Sequence, residues 1–340
     1  MDANDHVGRC LRPSARRVTE TTAPDFRAST LSLQTMASII ERIRRRLITD
    51  YQKKRYMQVA SQVLQTPALR PGDSPFMALS MVQQRDVIPY LVAIKSFSRV
   101  TRPQRITIVC DPSIGETERA LFKKHIPFVE LRRAQEFQDA RIPKGGTWER
   151  LAAIASYSSD NYVVQLDADT LTVAPLDEVS SAIRSHHGFV LGEKADQQIL
   201  TLEQASHHST DWENRHIQAL AEKRMVEAGL SLPLYTRGCS GFTGFPPNAH
   251  MQAHMFEFSA KMAQCTKGRW SEWGTEQVTS NYLVANAPQS RVLPYPKYST
   301  PEVRIDEIAF FHFIGYVRYT NSLYREKTRS ILPRLHEPLQ

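Results

Sequence analysis

The run Tyr162-Val163-Val164-Gln165-Leu166-Asp167-Ala168-Asp169-Thr170 constrains the fold more than any other stretch of this chain. Its first five residues are mostly β-branched, aromatic or aliphatic. Apolar side chains at successive positions read as a strand buried on both faces, which is how strands of a parallel sheet look when helices cover it. The strand then stops at two carboxylates one residue apart. Ligands of such sheets lie beyond the carboxyl ends of the strands, so Asp167 and Asp169 stand where chemistry is expected. In an extended backbone residues i and i+2 point the same way. Both carboxylates are therefore expected to reach one hard divalent cation, which can in turn hold a diphosphate.

The pattern upstream supports this. Strand signals over 76–82, 105–110 and 128–131 alternate with helical periodicity over 87–97, 116–125 and 148–158, and repeated βα units predict an α/β fold with a Rossmann-like, mostly parallel sheet. No GxGxxG follows the first strand, so the dinucleotide fingerprint is missing. Beyond Asp169 the expected elements are a helix at 176–185, a strand at 189–192, a polar His- and Glu-rich helix at about 211–228 and a smaller mixed C-terminal part. Residues 71–320 are thus expected to form one domain, with 71–170 as the nucleotide-binding half and 171–320 as the acceptor side. Residues 321–340 read as a C-terminal helix or tail.

The length of 340 residues, with 41% hydrophobic and 23% charged residues, is ample for such a core. No apolar run of eighteen residues occurs and the amino terminus lacks a secretory pattern, which leads us to expect a cytoplasmic protein or one at the cytoplasmic face of a membrane. The four cysteines (Cys10, Cys110, Cys239, Cys265) have neither CxxC pairing nor zinc spacing. Residues 1–35, rich in Ser, Thr, Arg and Asp, read as disordered, or as an extension upstream of a start at Met36. From 36 to 70 a basic amphipathic helical segment is expected, with Ile39, Ile40, Ile43, Leu47, Ile48 and Tyr51 at helical spacing. Of the formal charge of +8, the stretch 41–56 holds +5, from seven basic residues against Glu41 and Asp50. That locality argues against a nucleic-acid stripe, and it allows either packing on the domain or contact with an anionic membrane.

Three further segments carry chemistry. Arg237-Gly238-Cys239-Ser240-Gly241-Phe242-Thr243-Gly244-Phe245 interleaves glycines with aromatics, so backbone at Gly241 can approach a ligand or pack tightly as a bulged strand. Lys144-Gly145-Gly146-Thr147-Trp148-Glu149-Arg150 joins a flexible loop to a helix start, with Thr147 as N-cap and Lys144 and Arg150 as cations for phosphates. His312, within Ile308-Ala309-Phe310-Phe311-His312-Phe313-Ile314-Gly315, can add an imidazole to the carboxylates or lie in the core as a satisfied histidine. Glu203, His207, His208, Glu213 and His216 have the makings of a second metal cluster, but their spacing fits a solvated helical face better.

Asp167-Ala168-Asp169 after its strand resembles the DxD motif of glycosyltransferases with the GT-A fold. Thr275-Glu276-Gln277-Val278-Thr279-Ser280-Asn281 resembles the GDQ-three-residue-N segment of the glycogenin-like and lipopolysaccharide galactosyltransferase-like family of retaining enzymes, and His312-x-x-Gly315 followed by Arg318 resembles its HxxGxxK motif. The three motifs fall in family order, over about residues 76–320. Glu276 stands for the usual Asp, Arg318 for Lys, and Tyr319-Thr320 for the common Pro-Trp. The resemblance implies a GT-A fold and a metal-dependent transferase. A nucleotide-diphosphate sugar, with UDP-sugar as the donor class, would give its sugar to a hydroxyl of a glycan, a lipid-linked saccharide or a small molecule. It implies Mn²⁺ or Mg²⁺ on Asp167, Asp169 and His312. Glu276 and Gln277 would lie near the reactive face of the sugar, Gln83, Arg85 and Asp111 at base and ribose, and Gly315 and Arg318 at the phosphates. Two alternatives come from other classes. One is a phosphatase of the haloacid dehalogenase type, although Leu171 stands where that motif has Thr or Val; the other is a non-catalytic GT-A-like nucleotide-binding protein.

Overall fold

The computed structural model describes residues 26–192, 194–209, 216–300, 307–315 and 317–337. Residues 1–25 of the expected extension, and 211–215 of the polar helix with Glu213, lie outside the described residues. The chain runs α1 (Phe26–Ala60), β1 (Ser74–Val82), α2 (Val87–Thr101), β2 (Pro103–Cys110), α3 (Glu116–His125), β3 (Glu130–Arg133), α4 (Trp148–Tyr157), β4 (Tyr162–Leu166), β5 (Thr170–Thr172), α5 (Asp177–Ser185) and β6 (Phe189–Gly192). It continues with β7 (Leu200–Thr201), α6 (Leu202–His208), α7 (Ile217–Arg224), β8 (Leu234–Tyr235), β9 (Gly238–Phe245), α8 (Met251–Cys265), α9 (Thr275–Ala285), β10 (Arg291–Val292), β11 (Tyr298–Ser299), β12 (Phe310–His312) and α10 (Leu323–His336).

Seven strands form the central sheet in the order β10-β6-β9-β4-β1-β2-β3. All neighbours are parallel except β9, which runs antiparallel to both β4 and β6. The expected α/β class is therefore the observed one, and the Gly-Phe segment is the strand that reverses direction. Alternation along the strands sends Phe76 and Ala78, Ile106 and Ile108, and Val164 and Leu166 into one core with α2 and α10; Met77, Leu79, Val109 and Val163 enter another with α4, α8 and α9. A period of two thus feeds both faces, and helices cover both.

Residues 48–340 make up one compact unit; residues 1–47 form another, of which the described part is helix. The helix expected from residue 36 begins at Phe26, within the stretch read as disordered, and ends at Ala60. At its other end Tyr56 stacks on Tyr324 of α10 with ring centroids 4.0 Å apart, and Tyr324 stacks on Phe313 at 4.1 Å. Phe313 follows β12 directly, and its N–H donates to the Asp169 carbonyl at 2.9 Å.

Phe242 sits at the centre of the first core, fully buried and stacked on Phe310 at 3.9 Å, with Phe97 and Phe189 against its edges. Phe242→Ala is expected to lower stability by about 3–5 kcal/mol in denaturant unfolding. A second prediction concerns pH. The Lys95 ammonium is buried against Thr66 Oγ1 (2.7 Å), the Pro67 carbonyl (2.6 Å) and His125 Nδ1 (3.2 Å). Burial, then the Lys95 and Lys124 charges, push the His125 pKa down to about 4. Between pH 6.5 and 4 the unfolded chain takes up a proton that the folded one refuses, so stability falls as pH falls through that window, by roughly 3 kcal/mol. Urea unfolding at pH 7 and 4.5 should show this loss clearly reduced in His125→Gln.

Candidate functional site

The site is assembled by two strand ends and two helix starts. β4 ends at Leu166, and the chain turns over at once: Thr170 donates through its N–H (3.3 Å) and its hydroxyl (2.8 Å) to the Asp167 carbonyl, before β5 begins. Asp167 and Asp169 therefore converge through a turn and not through the extended alternation expected of them. β12 then pairs antiparallel with β5 so that His312 lies opposite Thr170. That register carries the imidazole to the carboxylates: His312 Nε2 is 3.2 Å from Asp169 Oδ1 and 3.6 Å from Asp167 Oδ2. Cys239 Sγ occupies the other ring nitrogen at 3.2 Å, which leaves Nε2 to face the acids.

Gly241 makes room for this ring. A Cβ at that position would stand 2.1 Å from His312 Cε1, so only glycine lets β9 pass so close. The same residue's carbonyl accepts from the Asp167 N–H at 2.9 Å, which anchors the start of the turn.

Two arginines balance the acids. Arg150, from the first turn of α4, pairs through Nη1 with Asp167 and through Nη2 with both oxygens of Glu276 at 3.2 Å. Thr147 takes the N-cap position of α4 in a left-handed conformation but makes no capping bond; its hydroxyl goes to the Gly146 carbonyl and to Glu276 Oε2 (2.9 Å). Glu276, in the first turn of α9, is buried, and desolvation raises its pKa against the opposing pull of Arg150. Arg318 bridges Asp86 Oδ1 (2.7 Å) and Asp169 Oδ2 (2.8 Å). Burial works to raise the Asp169 pKa, yet the His312 and Arg318 charges hold it down to about 2. Burial likewise opposes charge on His312, but the Cys239 sulfur and the Asp169 carboxylate outweigh it, and its pKa lies well above the usual histidine range.

Asp167, Asp169 and His312 can each offer one ligand atom within 4.8 Å of the others, the sole such group of three or more among the described residues. Glu203, His207, His208 and His216 form no such group. The trio fits a divalent cation: octahedral ligands at about 2.1 Å stand roughly 3 Å apart, close to the His-to-carboxylate spacings found here. An imidazole beside two carboxylates tolerates Mn²⁺ better than an all-oxygen magnesium site would.

A cavity of about 510 Å³ opens above this group. Gly241, Gly315, Glu276 and Gln277 line it beside the metal trio, Thr147 and Arg150. Of the other expected residues, Lys144 lines a separate cleft with Phe137 and Ile142. Gln83, Arg85 and Asp111 stand at the carboxyl ends of β1 and β2, outside this lining; Arg85 is exposed beside Asp86, and Asp111 accepts from the Ser113 N–H and hydroxyl. Sequence reasoning missed Asp86, the second partner of Arg318, and Cys239 as the neighbour of His312. Neither has a local signal, since each is defined by a residue more than seventy positions away.

No protein-family model and no curated protein matches the chain. Among solved structures it is similar to the WbbM bifunctional glycosyltransferase (14% identity, TM-score 0.48, 78% of this chain and 53% of that one), so it spans about half of WbbM. It is also similar to the galactosyltransferase LgtC in complex with donor and acceptor sugar analogues (11%, TM-score 0.48, 77% and 97%). A third similar structure is the glycosyltransferase GlyE of Streptococcus pneumoniae TIGR4 (9%, TM-score 0.45, 77% and 63%).

Proposed function

We propose that this chain is a metal-dependent glycosyltransferase of the GT-A type that moves a sugar from a nucleotide-diphosphate sugar to an acceptor hydroxyl. The observation that carries the proposal is the convergence of Asp167, Asp169 and His312 at the end of β4, facing the buried Glu276 across one cavity. UDP-sugar is the donor class by the motif resemblance. Mn²⁺ or Mg²⁺ held by these three residues would supply Lewis acidity to the diphosphate leaving group. Arg150 acts as a positioning residue, because one guanidinium fixes both Asp167 and Glu276. Glu276, with Gln277 beside it, lies at the reactive face of the sugar, either stabilising an oxocarbenium-like centre or taking the acceptor proton. Its raised pKa suits the second role, since a more basic carboxylate is the better proton acceptor. Arg318 attends the phosphates, Gly315 gives the ligand close access to backbone, and Gln83, Arg85 and Asp111 attend the base and ribose. In this division residues 71–170 serve the nucleotide, and 171–320 supply the acceptor side together with more of the donor pocket.

Thermal unfolding with a panel of nucleoside diphosphates, each with and without Mn²⁺, tests this. One nucleotide at about a hundred times its Kd should add about 2.7 kcal/mol and raise Tm by roughly 5 °C. The shift should need the metal and vanish in Asp169→Ala. No response to any nucleotide in the wild type would sink the proposal.

The acceptor lies at a membrane surface in this reading, at its inner, cytoplasmic face. No described helix is long and apolar enough to cross a membrane. On α1, however, Ile39, Ile40, Ile43, Leu47, Ile48 and Tyr51 are all exposed, six of the nine exposed large hydrophobics among the described residues. By helical spacing they occupy one half of the helix circumference, with Arg42, Arg45, Arg46 and Lys53 around the other half and Arg44, Lys54 and Arg55 among the apolar residues, an arrangement that suits a helix lying in an anionic interface. The protein should sediment with vesicles containing a quarter phosphatidylglycerol and not with pure phosphatidylcholine. Replacing Arg42, Arg45 and Arg46 by Gln should weaken that binding about a hundredfold, since each basic residue contributes about 1 kcal/mol. Self-association through this face without vesicle binding would count against it.

A further inference from the structure

Three tryptophans fall among the described residues, and they are treated differently. Trp148 and Trp270 are buried, and their indole N–H groups donate to Thr275 Oγ1 at 3.0 Å and Ser259 Oγ at 3.1 Å. Trp273 is 73% exposed, the most exposed of the large hydrophobics among the described residues. Core packing does not explain that placement, since burying so large a ring stabilises a fold by about 1.5–3 kcal/mol. Its position does. Trp273 lines the metal cavity at its open lip, while His312 lies buried at the floor.

The backbone around it is specified. Gly274 has φ +105°, a conformation that L side chains rarely adopt, and a Cβ there would stand 2.5 Å from His216 Cε1. The His216 ring meets the indole edge-on, with centroids 5.6 Å apart. One histidine thus packs against both residues and holds the indole at the rim. Gly274 also caps α9, whose first turn carries Glu276. The exposed aromatic face and the candidate reactive carboxylate therefore belong to one short, fixed segment.

We propose that Trp273 is the platform on which the acceptor stacks, and that the acceptor is a saccharide. This rests on the transferase reading above. A pyranose ring has an apolar C–H face and a rim of hydroxyls. The cavity mouth offers the complement, an aromatic face beside the polar groups of Thr147, Glu276 and Gln277. A diphosphate held at the floor by the metal trio leaves the donor sugar near Glu276, so a group entering from solvent passes the lip and meets Trp273.

The test uses the full chain with Mg²⁺ and the nucleoside diphosphate that stabilises it, and observes a panel of methyl glycosides and disaccharides by saturation-transfer NMR. At least one saccharide should bind, with transfer concentrated on the C–H protons of one ring face. Its affinity should fall about tenfold in Trp273→Ala and recover in part in Trp273→Phe. An unchanged affinity in Trp273→Ala overturns the inference, as does binding of no saccharide by a wild type that still responds to nucleotide. A nucleotide affinity that falls in Trp273→Ala instead of the saccharide's would place the donor's base there and overturn it equally. A wild type that answers to no nucleotide strikes the transferase reading itself, and the two failures are thereby told apart.

Discussion

Three carboxylates crowded into one cavity are the constraint that the rest of this structure answers. Asp167, Asp169 and Glu276 would repel one another in a poorly solvated space, and each must be matched by positive charge or lose its own. Two arginines do this by bridging. Arg150 takes Asp167 and Glu276 together, Arg318 takes Asp169 with Asp86, and His312 meets both aspartates. Buried pairs of this kind add little net stability, because desolvation offsets the attraction. What they secure is geometry: one carboxylate oxygen each of Asp167 and Asp169 is held beside His312 Nε2.

That geometry depends on strand register more than on side-chain choice. The antiparallel pairing of β12 with β5 sets His312 opposite Thr170, and a slip of one residue would turn its ring to the other face of the small sheet. Gly241 permits the register, since any side chain there would collide with the imidazole. The glycine-rich strand β9 thus supports the site twice over, its Gly241 carbonyl holding the turn at Asp167 and its Cys239 meeting the imidazole.

Much of this was legible in the sequence because it is local. The strands at 162–166 and 189–192 and the helix at 116–125 have strong period or composition signals, and they form as expected. Asp167, Asp169 and His312 were identifiable as a set through the order of their motifs, and they do converge. Less legible was whatever depends on distant partners. Arg150 reads from sequence as a cation for phosphates and is found bonded to carboxylates from two other elements. Thr147 reads as a helix cap, yet its hydroxyl serves a glutamate 129 residues away. Trp273 has no pattern around it at all, since exposure is a property of the fold and not of the neighbours in the chain.

The stack of Tyr56, Tyr324 and Phe313 makes the two ends of the compact unit a single buttress. Phe313 is hydrogen-bonded to the Asp169 backbone, so the aromatic column rests directly on the turn that presents the acids. The C-terminal helix is therefore not trim on a finished domain. It is the middle stone of an arch whose springers are the foot of α1 and the strand bearing His312, and shortening the chain at its end would loosen a site that lies some 150 positions upstream.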